Sequence, residues 1–176
     1  MHALIVGARG VGKSTLIRRI LKELNRPVVV YETKKEEDLE DPLLGCPIYI
    51  YDAGTVHCQT AENFVGYHKG PDFDAFTAAF NRYAPKLTAS VPEDAIVELD
   101  EIGFLEAKSE AFCHAVLQLL DGDRPVIAAV KDRDIPFLQQ IRQHPKARCF
   151  LITPENRDAL YKEVLLFMKQ QLEETL

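Results

Sequence analysis

The chain has 176 residues, of which 47% are hydrophobic and 27% are charged, as in an ordinary globular domain. Its formal net charge of −6 at pH 7 argues against a nucleic-acid-binding protein, because such a protein needs a basic face. No leader peptide fits before the first motif, and no apolar run approaches the length of a membrane span. We therefore expect a cytoplasmic protein that binds neither nucleic acid nor membrane.

The first predicted elements surround a glycine-rich loop, Gly7-Ala8-Arg9-Gly10-Val11-Gly12-Lys13-Ser14, which fits the pattern G-x-x-x-x-G-K-[ST]. An apolar run of strand type, residues 3–6, leads into the loop. Apolar residues at helical spacing follow it: Leu16, Ile17, Ile20, Leu21 and Leu24. Strand, loop and helix stand in the order that a phosphate-binding loop requires, so we expect the chain to bind a nucleoside phosphate.

Each residue type in this loop has a physical role. The glycines let the backbone turn its N–H groups toward phosphate oxygens, and the following helix presents its positive dipole end to the same anion. Lys13 can reach the β- and γ-phosphates, and the Ser14 hydroxyl can ligate Mg²⁺, the expected cofactor. The predicted nucleotide-binding set includes every residue from Gly7 to Thr15.

The region that follows is less regular. Residues 28–31 predict a second buried strand, and the charged run 34–41 predicts a solvated loop. Residues 48–51 predict a short strand, residues 52–55 a turn, and residues 56–71 have no clear periodicity.

A stretch of aromatic residues at helical spacing comes next. Asp72 is predicted to cap a helix that carries Phe73, Phe76, Phe80 and Tyr83 and ends near Pro85. Such a stripe could line a nucleobase pocket, but core packing is the commoner reason for this spacing, and we adopt it.

The second half alternates strands and helices. Strands are expected at 95–99, 125–130 and 147–152, and helices at 107–120 and 135–144. Thr153 is expected to cap a last helix, with Pro154 at its first position. The alternation predicts an α/β three-layer sandwich with a mostly parallel sheet and helices on both faces. We expect a single domain over residues 1–176, with an insertion at about 32–90.

Two carboxylates end the strand at 95–99. Asp100 is placed to complete the Mg²⁺ site with Ser14, as a carboxylate at the end of a buried strand. Glu101, one position further, can hold and polarise the water that attacks the γ-phosphate, although the pair could instead merely cap a turn. Glu98 is irregular, because a glutamate inside a buried strand needs a partner that the sequence does not identify.

At this point the chain resembles a known family. Residues 100–106, read Asp-Glu-Ile-Gly-Phe-Leu-Glu, are similar to the D-E-I-G-x-M-E signature of the P-loop nucleoside-triphosphatases that include the cancer-related nucleoside-triphosphatase. Later blocks match in order and spacing: Phe112, residues 125–127, and residues 152–157; Val65-Gly66-Tyr67 is similar to a further short element. The resemblance covers residues 1–25 and about 92–165. It implies Mg²⁺-dependent hydrolysis of nucleoside triphosphates with little base discrimination, with Lys13 and Glu101 as catalytic residues and Ser14 and Asp100 at the metal.

The chain also departs from that family pattern. It has Arg9 where the family usually has proline, Ser14 for threonine and Leu105 for methionine. The last two exchanges keep the hydroxyl and the apolar volume. Arg9 adds a cation near the phosphates or points into solvent. The acidic run after residue 31 replaces a glycine- and arginine-rich hairpin, which puts any substrate contact there in doubt.

Three basic residues follow the last two strands. Arg157, early in the last helix, opposes the helix dipole, so helix stability does not explain it and we expect it to contact the nucleotide. Lys131 and Arg133 are weaker candidates for stabilising transition-state charge, and a solvated loop is the preferred interpretation of both.

These residues leave three functions open. A hydrolase of ATP, GTP and other nucleoside triphosphates is favoured by Glu101 beside Asp100. A small-molecule or nucleotide kinase, with residues 32–90 as its acceptor site, is the second. Arg82 is the only arginine between Arg26 and Arg124, which weighs against a phosphorylated acceptor but not against an uncharged one. A nucleotide-dependent switch that acts through an unidentified protein partner is the third. A Ras-type GTPase is disfavoured because no N-K-x-D motif is present.

Overall fold

A computed structural model describes residues 1–52, 58–69, 77–89, 92 and 94–174. The described strands are β1 His2–Gly7, β2 Val28–Lys35, β3 Pro47–Asp52, β4 Phe64–Tyr67, β5 Ile96–Ile102, β6 Val126–Lys131 and β7 Ala147–Leu151. The described α-helices are α1 Lys13–Leu24, α2 Thr77–Thr88, α3 Glu110–Asp121, α4 Pro136–Arg142 and α5 Arg157–Glu174.

The strands form one sheet in the order β4-β3-β2-β5-β6-β1-β7. Pairing is parallel from β2 across to β7, whereas β3 and β4 join antiparallel at the β2 edge. Alternate residues of β1 enter two separate apolar clusters, one with α2, α3 and α4 and the other with α1 and α5. Helices therefore cover both faces of a mostly parallel sheet, and the predicted fold class is confirmed.

The phosphate-loop strand lies deep in this sheet. β1 is flanked by β6 on one side and β7 on the other. Its residues Ala3, Leu4 and Ile5 are fully buried. The carboxyl ends of β1, β5 and β6 consequently meet at one edge of the sheet, where ligands bind in folds of this kind.

Two strand predictions are corrected by the structure. β2 continues to Lys35, because residues 31–35 pair with β3, so the charged run expected to be a solvated loop begins inside a strand. A 3₁₀ turn, Glu37–Leu39, follows it. β4 lies in the region to which no element was assigned, since Gly66, at φ +152°, and a register shift opposite it in β3 interrupt the alternation that would have revealed a strand.

Two helix predictions are wrong at their boundaries. Pro85 lies inside α2 rather than at its end. The last turn persists because Leu87 is buried and the Tyr31 hydroxyl donates to the Lys86 carbonyl at 2.7 Å. Helix α5 begins at Arg157, not at Pro154, because the Asn156 side chain first bridges the backbone of the preceding turn.

Some expectations lie outside the described residues. These are the predicted cap Asp72, with Phe73 and Phe76, and residues 53–55 of the predicted turn. Of the same aromatic stripe, Phe80 and Tyr83 are buried in α2, and Phe80 meets Phe112 of α3 edge to face at 5.2 Å, so this part of the stripe packs in the core. Among the described helices, none is both long enough and apolar enough to cross a membrane.

Candidate nucleotide-binding site

The loop between β1 and α1 needs its glycines for two physical reasons. Gly10 and Gly12 have φ of +74° and +100°, in the left-handed region that side chains disfavour. Gly7 has no room for a side chain, because a Cβ atom there would lie 2.8 Å from Ile152 Cγ2 and 2.9 Å from its carbonyl oxygen. The loop is thus closely packed against the strand end at β7.

Lys13 is buried at the first position of α1, and its ammonium points back over the loop. Nζ donates to the Gly7 carbonyl at 3.0 Å and to the Ala8 carbonyl at 2.8 Å. Burial lowers the pKa of Lys13, while the charges of Glu101 and Asp100 act in the opposite direction. A cation in this position faces the concave side of the loop where an anion would lie.

Ser14 and Asp100 meet across the sheet edge. The Ser14 hydroxyl donates to Asp100 Oδ1 at 2.7 Å, and Asp100 is 8% exposed. The other carboxylate oxygen accepts from Arg18 Nη2 at 3.4 Å, and Arg18 also contacts Glu32 of β2 at 3.5 Å. A hydroxyl and a carboxylate that converge in this way are hard oxygen ligands of the type Mg²⁺ prefers.

Glu98 lies two residues before Asp100, in register with Ile127 of β6 and Val30 of β2. It is only 5% exposed. Burial is the main cause that raises its pKa to about 7, with a smaller contribution from the negative charge of Asp100; the charge of Arg18 opposes both. The Arg18 guanidinium, which contacts Asp100 and Glu32, therefore acts on Glu98 only through its charge.

Glu101 has a strained backbone. Its φ is +67°, uncommon for a residue with a side chain, and the register of β5 against β6 shifts between Leu99 and Ile102. The strand was expected at residues 95–99; instead it continues to Ile102 through this irregularity, with Asp100 and Glu101 inside it. The distortion sets the direction of the Glu101 side chain, which is 38% exposed toward the loop edge.

Lys131 holds the Glu101 carboxylate. It is the last residue of β6, in register with Gly7 of β1, and its Nζ lies 2.9 Å from Glu101 Oε1. Gly103 makes room for this side chain, since a Cβ there would lie 2.6 Å from Lys131 Cδ. The preferred interpretation of Lys131 as part of a solvated loop is therefore wrong, because its side chain is paired and 30% exposed.

Arg157 comes from the far end of the chain to the same loop. It is the first residue of α5, and a Cβ built on Gly12 would lie 3.6 Å from Arg157 Nε and 3.8 Å from its Cζ. The guanidinium therefore lies against the glycine that precedes Lys13. A nucleotide bound at the loop would be within reach of this cation.

The structure therefore places most of the candidate residues together at one sheet edge. The Val11 side chain is an exception, because it packs in the core with α1 and α5, so it can offer a ligand only its backbone. Thr15 is exposed on α1. Arg9 lines a cleft beside Glu101 and Lys131. The ligand roles of these residues stay predictions.

A seven-stranded α/β sheet with a glycine loop, a buried lysine and a serine–aspartate pair at its carboxyl edge defines a P-loop nucleotide-binding protein. The sequence model of the family described as NTPase matches residues 2–165, so this chain belongs to the NTPase family. The family resemblance inferred from residues 100–106 is confirmed, as is the expectation of an enzyme that hydrolyses nucleoside triphosphates.

Relatives match along almost the whole chain. Nucleoside-triphosphatase THEP1 of Aquifex aeolicus is 26% identical over 178 residues, covering 97% of this chain and 100% of the relative. Nucleoside-triphosphatase THEP1 of Pyrococcus abyssi is 27% identical over 179 residues, covering 98% and 94%.

Two solved structures share the fold. The crystal structure of THEP1 from Aquifex aeolicus has a TM-score of 0.67 at 24% identity and covers 96% of this chain and 99% of that one. The solution structure of a human cancer-related nucleoside triphosphatase has a TM-score of 0.66 at 22% identity, covering 96% and 97%.

Proposed function

We propose that this chain is a Mg²⁺-dependent nucleoside-triphosphatase that converts ATP, GTP and other nucleoside triphosphates to the diphosphate and inorganic phosphate. The observation that carries the proposal is the Glu101 carboxylate, held 2.9 Å from Lys131 beside the phosphate loop. Kinship with proteins named nucleoside-triphosphatase supports the substrate class. A cytoplasmic location, where nucleotides and Mg²⁺ are abundant, fits it.

The binding half of the proposed reaction rests on the loop. Backbone N–H groups of residues 8–14 and the α1 dipole would hold the phosphates, with Lys13 at the β- and γ-oxygens. Ser14 and Asp100 would hold Mg²⁺, which would supply positive charge against the charge that develops on the phosphates during hydrolysis. Arg157 adds a cation from the side of Gly12.

The chemical half rests on Glu101. One of its oxygens is ion-paired with Lys131, and the other is placed to accept a proton from water. The water oxygen bonds to the γ-phosphorus, the bond from that phosphorus to the β–γ bridging oxygen breaks, and the water proton passes to the carboxylate.

The test is phosphate release from ATP, GTP, CTP and UTP with and without Mg²⁺. We expect release from several of these nucleotides, dependent on Mg²⁺ and abolished in Lys13→Ala. Glu101→Gln should bind nucleotide normally yet release phosphate about 10²- to 10⁴-fold more slowly, the usual contribution of a general base. Glu163→Gln, on the exposed side of α5, is the matched control. Full activity in Glu101→Gln would remove the role proposed for that residue.

A further inference from the structure

A cleft with an excess of available cations opens beside the phosphate loop. One cavity of about 700 Å³ is lined by Gly7, Ala8, Arg9, Phe104 and the segment 131–135. A second, of about 210 Å³, shares Arg9, Phe104 and Lys131 with it and extends toward Lys35 of β2. The combined space is of the size that small organic ligands occupy, and is much larger than one phosphate group needs.

The acidic groups in the larger cavity are already engaged. Asp132 accepts from Arg142 Nη1 at 3.1 Å, and Asp134 accepts from the Gln139 amide. Glu101, beside this cavity, is paired with Lys131. Asp132 and Glu101 are therefore paired with other cations, whereas Asp134, whose amide partner is neutral, keeps its charge. The two arginines that line the same cavity, Arg9 and Arg133, outnumber this one remaining carboxylate.

Those two arginines have no such partners. Within the part of the chain that the structure describes, neither the Arg9 nor the Arg133 guanidinium forms a hydrogen bond or an ion pair. The backbone around Arg133 is nevertheless fixed, because its carbonyl accepts from Arg142 Nη2 at 3.0 Å and from the Ile135 amide at 3.1 Å. Two arginines that line one cavity in a chain of net charge −6 attract an anion, and the guanidinium fork fits phosphate oxygens.

The cavity also offers an apolar surface. Phe104 is 40% exposed and lines the cavity, as does Ile135, the last residue of the segment 131–135. An aromatic ring of this kind packs well against a flat or apolar group. The combination matches a ligand with a phosphate at one end and an apolar part at the other.

We propose that this cleft binds a second ligand, an organic phosphate, separate from the nucleotide on the Gly7–Ser14 loop. Arg9 and Arg133 hold its phosphate, and Phe104 contacts its apolar part. The inference goes beyond nucleotide hydrolysis and relies on the proposed function only for the placement of the nucleotide on the loop.

The test uses phenyl phosphate and inorganic phosphate as probes in titration calorimetry of the full chain, with the loop saturated by ADP and Mg²⁺. We expect one phenyl phosphate per chain, bound more tightly than inorganic phosphate. Arg133→Gln should weaken both probes about tenfold, the loss expected for one charge-assisted hydrogen bond. Phe104→Ala should weaken phenyl phosphate alone, by about fivefold, the range of an aromatic contact.

The control is Lys22→Gln, which removes one positive charge at the far end of α1 and should change neither affinity. Displacement of phenyl phosphate by ADP, or an unchanged affinity in Arg133→Gln, would overturn the separate site. Inorganic phosphate binding as tightly as phenyl phosphate would overturn the organic ligand.

The two proposals fail separately. Phenyl phosphate binding in Lys13→Ala, which should lose the nucleotide, supports the cleft regardless of hydrolysis. Normal phosphate release from nucleotides without any saturable phenyl phosphate binding would overturn only the second ligand.

Discussion

Glu101 shows how a single residue can be positioned for chemistry against its own backbone preference. A left-handed φ of +67° at a residue with a side chain costs about 1 to 2 kcal/mol. The fold tolerates this cost because β5 is held on both sides, by β2 and β6. Replacement of Glu101 by glycine, which tolerates this φ, would therefore relieve the strain and raise the free energy of unfolding relative to alanine.

We predict that Glu101→Gly unfolds with a free energy about 1 kcal/mol higher than Glu101→Ala. Both variants lose the ion pair with Lys131, so their difference reports the backbone alone. At an ordinary strand position the order is reversed, since glycine is less stable there than alanine by about 0.5 to 1 kcal/mol. Arg148, exposed in β7, supplies that control pair, and urea denaturation measures all four variants. Alanine as the more stable residue at position 101 would contradict the strain.

Glu98 makes a prediction about pH. Its pKa rises from 4.5 in the unfolded chain to about 7 in the fold, so its contribution to stability is complete below pH 4.5 and is lost as pH rises through 7. The unmodified chain should therefore lose about 2 kcal/mol of unfolding free energy through Glu98 between pH 5 and pH 8. Glu98→Gln should not show this loss. Denaturation in EDTA, with Glu163→Gln as control, measures this; an unchanged pH slope would show that Glu98 is ionised in the fold.

At the scale of elements, the part of the site that was predictable from the sequence is the part set by local rules. The phosphate loop follows from glycine and lysine at fixed spacing between a strand and a helix, and Asp100 from its place after an apolar run. The Glu101–Lys131 pair was not predictable, because it depends on β6 lying between β1 and β5. The order of strands in the sheet cannot be read from the spacing of residues, so Lys131 was predicted to lie in a solvated loop.

The errors in the elements have the same origin. Proline usually ends a helix, but α2 continues past Pro85. Its last turn is held by tertiary contacts: the burial of Leu87 and the hydrogen bond from the Tyr31 hydroxyl to the Lys86 carbonyl. The Asn156 side chain bonds to the Thr153 amide and the Leu151 carbonyl, which delays the start of α5 beyond the expected cap. β4 was missed because a glycine interrupts its alternation.

The turn after β5 allows the ion pair to be tested without changing either partner. In Gly103→Ala the new Cβ would meet Lys131 Cδ at 2.6 Å, and the flexible lysine can move away. We expect a loss of stability below about 1 kcal/mol, because only the flexible end of the Lys131 side chain has to shift, but at least tenfold slower phosphate release. Lys131→Ala should have a similar effect on turnover, and a faster Gly103→Ala enzyme would contradict the positioning role of Lys131.

At the scale of the whole molecule, two buried groups act on stability in opposite directions. His2 at the start of β1 meets the Leu120 carbonyl at the end of α3 at 2.8 Å, and burial lowers its pKa from 6.5 to about 4. Its contribution is complete above pH 6.5 and is lost as pH falls through 4, whereas that of Glu98 is lost as pH rises. Between pH 4.5 and 6.5 the two effects oppose each other.

We therefore predict that the free energy of unfolding of the unmodified chain changes little between pH 4.5 and 6.5. In Glu98→Gln it should rise with pH over this range, and in His2→Leu it should fall. The unmodified chain should lose about 2 kcal/mol of unfolding free energy through His2 as the pH falls from 7.5 to 5, and His2→Leu should not show this loss. Thermal or urea unfolding at several pH values measures it. A profile of the same shape with and without His2 would show that its proton is not linked to folding.

The placement of β1 has a consequence for how the protein is made. Strand β1 is synthesised before β6 and β7, the described strands with which it pairs, so Ala3 has no strand neighbours until Ile127 and Arg148 have been made. Contacts so distant in sequence close slowly. Arg157, which lies against Gly12, is synthesised later still. A nascent chain therefore carries its phosphate loop long before the residues that surround it, and we expect bound nucleotide to stabilise the fold only after Arg157 has been made.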